Sequence, residues 1–161
     1  MLGIWNFNIS ERRICWIRTR VIRSGIQQRK LEKFGGDLMR ILVPTAGIVP
    51  AAEKANYILE IAKKLKADIT VLHILDLAET SDGEKALKIF EDLGKEFGVN
   101  VKTILKEGNV VPCIVECAED EKTNLIIMGA SEGRIIAEWI VSQVLEKSNV
   151  PVVIIPYGFI T

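Results

Sequence analysis

The chain predicts a doubly wound α/β domain: a five-stranded parallel sheet in the order 3-2-1-4-5 with helices on both faces. Two observations carry this. From residue 40 the hydrophobic period alternates between short apolar runs and longer stretches with helical spacing. The runs are also apolar on both faces, as strands covered from two sides must be. Right-handed crossovers then leave few topologies, and in the favoured order the first and fourth strands are neighbours.

Residues 40–45 (RILVPT) form the first strand, ending at Ala46-Gly47, and Pro50 suits the first turn of the helix behind it. Ala55, Ile58, Leu59, Ala62 and Leu65 share one helix face and are expected in the core. Residues 68–75 (DITVLHIL) are a second strand. Ser81-Asp82-Gly83-Glu84 has the pattern of a capping box for a helix that buries Ala86, Ile89, Phe90, Leu93 and Phe97, with Gly98 closing it. A third strand is expected over 99–105. Gly108-Asn109 opens the next helix, where Pro112 is tolerated in the first turn. A fourth strand at 125–128, a helix at 134–147 and a closing strand at 152–155 complete the set.

Composition sets the outer limits. Of 161 residues, 48% are hydrophobic and 26% charged, which supports one packed domain. Residues 1–39 hold eight basic residues against Glu11, Glu32 and Asp37, an excess of five positive charges that residues 40–161 balance with five negative ones. An acidic body disfavours nucleic acid as a partner. No apolar run is long enough for a transmembrane segment and no secretory signal is evident. Cys15, Cys113 and Cys117 have no framework spacing, so a cytoplasmic, reducing setting is expected.

Between Gly129 and Pro156 the chain reads GASEGRIIAEWIVSQVLEKSNVPVVIIP, a strand end, a glycine loop, a helix and a strand. Loop amides and a helix N-terminus in that order favour anions, phosphates above all. The ends of the first and fourth strands should wall one crevice. Glu132 places a carboxylate in this loop, and no Lys-Ser/Thr pair follows.

Taken in order, ILVPTAG at 41–47, DITVLHIL at 68–75, EGN at 107–109, LIIMGASEG at 125–133 and SQVLEKSNVPVVIIP at 142–156 resemble the universal stress protein family over residues 39–156. The resemblance implies a homodimeric α/β fold of the adenine nucleotide-binding superfamily, with members in stress tolerance that bind ATP and members that do not. ATP-binding members resemble Gly-x2-Gly-x9-Gly-(Ser/Thr) after the fourth strand, with an Asp after the first. Gly129 fits the first glycine, but Glu132, Ser142 and Gln143 fall on the following positions, and Ala46 on the Asp. Gly133 meets the second glycine only after a one-residue shift. A carboxylate about 5 Å from a triphosphate is repelled by more than ~1 kcal/mol. A lost hydrogen-bonding Asp costs ~1–3 kcal/mol.

The candidate nucleotide pocket is therefore Thr45, Ala46, Gly47, Gly129, Ser131, Gly133, Ser142 and Gln143, with Mg-ATP as the one candidate cofactor and no metal site. The expected function is a cytoplasmic homodimeric binding or regulatory module of the stress response, without tight ATP binding or catalysis of its own. Its partners are a second copy of itself and an unknown protein or small molecule. The alternative is an ATP-binding member acting as a slow ATPase. An adenylate-transferring enzyme would need a phosphate loop after the first strand, and TAGIV at 45–49 lacks the small hydroxyl residues for one. A receiver domain would need acidic residues where Thr45-Ala46 stand.

Other residues are expected to be structural. His73 reads as a hydrogen-bonded histidine near a strand end. Cys113 and Cys117 read as small core residues, Trp139 as a core or subunit-interface aromatic, and Glu116, Glu119, Asp120, Glu121 and Lys122 as a solvated helix end. Val152, Val153, Ile154 and Ile155 form an apolar sheet edge that invites an antiparallel contact with a second copy. Residues 1–38, with Trp5 and Trp16, differ in composition from the rest and are set off by Gly35-Gly36. Three readings stand side by side. Ile14, Trp16, Ile17 and Val21 form the apolar face of a basic arm, the segment is a disordered extension, or translation starts at Met39.

Overall fold

The computed structural model describes residues 38–75, 80–130 and 135–156. The expectations for the basic segment at 1–37 lie outside these residues, as do those for Ser131 and Gly133. Strands and helices alternate: β1 (Met39–Thr45), α1 (Ile48–Leu65), β2 (Ala67–Leu75), α2 (Thr80–Phe97), β3 (Val101–Glu107), α3 (Val110–Asp120), β4 (Leu125–Gly129), α4 (Ile135–Lys147) and β5 (Val152–Ile155). The strands form one parallel sheet in the order β3-β2-β1-β4-β5, as the hydrophobic pattern predicts.

Strand alternation divides the core into two layers. Ile41 and Val43 of β1, Ile69 and Val71 of β2, and Ile127 of β4 pack with Ala55, Ile58 and Leu59 of α1 and Phe90 of α2. Leu42, Leu72, Ile126 and Met128 face the other way, onto Ile114 and Cys117 of α3 and Val144 of α4. Side chains two apart in a strand share a face, so each central strand feeds both layers. Burial of each Ile, Leu, Val, Phe or Met among them contributes about 1.5–3 kcal/mol.

The sheet is not zipped evenly. β1 runs beside β2 for its full length, from Met39 opposite Ala67 to Thr45 opposite His73. Its pairing with β4 covers only Ile41 with Leu125 and Leu42 with Ile126. Arg40 faces β4, since its carbonyl accepts the Asn124 N–H at 2.9 Å. The polar backbone groups of Leu42 and Pro44 point the same way by the period of two. Pro44 has no N–H to give, and its place in a central strand is tolerated because the ladder on that side has already ended.

Strand bounds differ from the sequence expectations by one or two residues, with β3 running on to Glu107, and four details differ for a physical reason. α2 is already helical at Thr80, so Ser81 lies inside the helix and is not its N-cap. β3 begins at Val101 rather than residue 99, because the Val99 N–H caps α2 by bonding to the Gly94 carbonyl at 2.9 Å. Gly98, at φ +67°, turns the chain there as expected. Leu65 is 45% exposed, because α1 ends with it and Lys66 adopts the left-handed conformation at φ 51°. Trp139 is 58% exposed and is therefore not a core residue: it falls off the stripe of α4 that seats Val144.

Candidate functional site

Where β1 and β4 part, a cavity of about 360 Å³ opens at the carboxyl ends of the strands. This is the position at which doubly wound sheets bind ligands. Its volume lies toward the small end of the ~300–1,000 Å³ typical of such sites. Thr45 and Ala46 wall it from β1, and Met128 and Gly129 from β4. α1 supplies Pro50, Lys54 and Ile58, and α3 and α4 close it with Ile114, Ile140 and Val141. The walls are mostly apolar, with a few polar groups among them.

The most consequential of these is Lys54, which is only 4% exposed. Its alkyl chain crosses in front of Gly129, so closely that a Cβ there would stand 2.6 Å from Cδ and 3.0 Å from Cε. Gly129 thus provides the room through which a lysine reaches the crevice. The ammonium meets Glu53 Oε2 at 3.2 Å, and the Glu53 side chain is 49% exposed. Lys54 belongs to no motif, yet the sequence carries a signal for it. It lies three residues after Ala51 and four before Ile58, so it occupies the apolar stripe of α1 where a charge is out of place.

His73 stands at the carboxyl end of β2, is 7% exposed and also lines the cavity. Its Nδ1 lies 2.9 Å from the Thr45 carbonyl oxygen and donates to it. The hydrogen bond near the strand end is the one that the strand position predicts. Gly83 of α2 lies directly on the ring, where a Cβ would fall 2.1 Å from Cδ2 and 2.4 Å from Nε2. Gly47 precedes α1 at φ 141°, a conformation open to glycine, and Asp82 Oδ2 would stand 3.0 Å from a Cβ added there.

The candidate pocket residues divide accordingly. Thr45, Ala46 and Gly129 line the cavity, while Gly47 is the N-cap of α1. Ser142 is exposed, Gln143 donates to Glu146 Oε2 at 3.3 Å, and neither lines the cavity. Among the described residues, no group of three His, Cys, Asp or Glu is placed to hold a metal ion, and no helix is long and apolar enough to cross a membrane. Cys113 and Cys117 are buried free thiols, and burial pushes the Cys117 thiol above its ordinary value of 9.0. At the sheet edge, Val152 and Ile155 are buried while Val153 and Ile154 are half-buried.

Residues 38–156 match the model of the universal stress protein family. A universal stress protein of Methanocaldococcus jannaschii is 28% identical over 137 residues, covering 72% of this chain and 81% of its own length. A universal stress protein in complex with cAMP has the same fold at a TM-score of 0.63 and 18% identity, over 75% of this chain and 98% of that one. A family protein of Arabidopsis thaliana with AMP bound aligns at a TM-score of 0.57 and 17% identity, over 73% of this chain and 90% of its own. The family match spans all five strands and both walls of the crevice, and the chain belongs to the universal stress protein family.

Proposed function

We propose that this protein is a homodimeric binding and regulatory module of the stress response, with the β1/β4 crevice as its ligand site and without tight ATP binding. The observation that carries the reading is the lining of that crevice. Ala46 offers a methyl group where ATP-binding relatives resemble one another in an acid, and the Lys54 chain covers Gly129, the first glycine of the loop. Proteins of the same fold hold cAMP and AMP, which supports a nucleotide-sized ligand at this position. Residues 39–161 form the functional domain in this reading, and an apolar edge at β5 supports pairing with a second copy.

The test is a melting curve of the full chain with and without millimolar Mg-ATP. A ligand at 100-fold over its Kd adds ~2.7 kcal/mol of stability, which raises Tm by several degrees in a domain of this size. The expected change is under about 2 °C, since ATP at millimolar concentration then stays near or below its Kd. A rise of several degrees overturns the reading in favour of an ATP-binding protein.

A further inference from the structure

We propose that Lys54 is the anion anchor of the crevice, and that the site takes a ligand carrying one phosphate-like group on a compact apolar body. This rests on the reading of the β1/β4 crevice as the ligand site. Lysine is almost never fully buried without a partner, because taking an ammonium out of water is costly. Here the side chain retains 5% of its exposure, and the carboxylate beside it among the described residues belongs to Glu53, one position earlier in the helix. Adjacent helical residues point in different directions, so Glu53 must reach around from the outer surface. With half its side chain in solvent, Glu53 makes the weak kind of ion pair.

An anion entering the crevice offers the ammonium a better arrangement. Lys54 exchanges Glu53 for the ligand, and Glu53 returns to water at little cost. Glu53 is thereby a built-in competitor for the anion. The lysine chain also limits size, because it occupies the space over Gly129 and shortens the crevice at that end. Single phosphates on small apolar bodies satisfy both constraints, and the cavity of about 360 Å³ suits them.

The experiment compares the wild-type chain, Lys54→Met and Glu53→Gln by calorimetric titration at low ionic strength with inorganic phosphate, adenosine, AMP and ATP. Methionine retains an unbranched apolar chain of similar reach, and glutamine at the exposed position 53 keeps an oxygen that can accept from the ammonium, so a melting curve of each variant separates a loss of binding from a loss of folding. In the wild type AMP should bind about tenfold or more tightly than adenosine, and more tightly than ATP. Lys54→Met should erase the advantage of AMP over adenosine. Glu53→Gln should tighten both phosphate and AMP, which a merely structural lysine does not predict.

An advantage of AMP that survives in Lys54→Met, or an affinity unchanged in Glu53→Gln, overturns the anchor while leaving a nucleotide site standing. Phosphate binding that depends on Lys54, with AMP no better than phosphate, upholds the anchor and defeats the nucleotide reading. ATP binding as tight as AMP defeats the size limit. No binding of phosphate or AMP defeats both proposals.

Discussion

The imidazole of His73 lies under Gly83 with its Nδ1 on the Thr45 carbonyl, so neither rotation nor translation of the ring is free. Two effects oppose each other in Gly83→Ala. Alanine improves helix propensity by about 1 kcal/mol. Forcing a methyl into a packed site costs about 1–3 kcal/mol, and turning the ring aside forfeits a hydrogen bond worth about 0.5–1.5 kcal/mol. The overlap should win by about 1–2 kcal/mol, seen as a lower urea midpoint with an unchanged slope. In a His73→Ala background the same change should be neutral or stabilising. Additive effects in that cycle would show that the two positions do not share one space. Lys54 shows the limit of the sequence at this scale. Its place on the apolar stripe of α1 was visible, but the glycine that admits it is 75 residues away and is brought near only by the fold.

Elements were far more legible than side chains. The existence, type and order of the strands and helices follow from period alone, because each central strand serves two core layers and each helix one. Boundaries were less so. The Ser81 box reads as a helix start from four residues, while the actual start of α2 also answers to the packing of Gly83 on β2. β5 offers a prediction at this scale. Its Pro151 and Ile155 carbonyls accept from Ile126 of β4 at 2.9 Å and from Ala130 just past β4 at 2.8 Å, so by alternation the polar groups of Val152 and Ile154 face the open edge. Ile154→Pro removes an outward N–H and spares the ladder to β4, a placement that edge strands accept. We expect a folded protein that light scattering after size exclusion finds as a monomer, against a dimeric wild type. A variant that stays dimeric places the contact on another surface.

At the scale of the whole molecule, the family match and the two-layered core both begin near residue 39. Residues 39–161 should therefore unfold cooperatively without the preceding segment, with a Tm within about 2 °C of the full chain, corresponding to less than ~1 kcal/mol. Residues 1–39 carry five excess positive charges and the rest of the sequence five negative ones, so any difference should shrink as salt is added. A fall of more than about 5 °C, or a broad transition, would mean that the basic segment is part of the folding unit.

Pro44 carries a consequence for readiness rather than affinity. Were β1 able to extend its ladder with β4 past Leu42, the crevice would have a closed state competing with the open one, and every ligand would bind at an affinity reduced by the fraction closed. A residue without an N–H cannot form the next rung, and closure would strand the carbonyl opposite it. The closed state is therefore disfavoured, and little of a ligand's affinity is spent on parting the two strands.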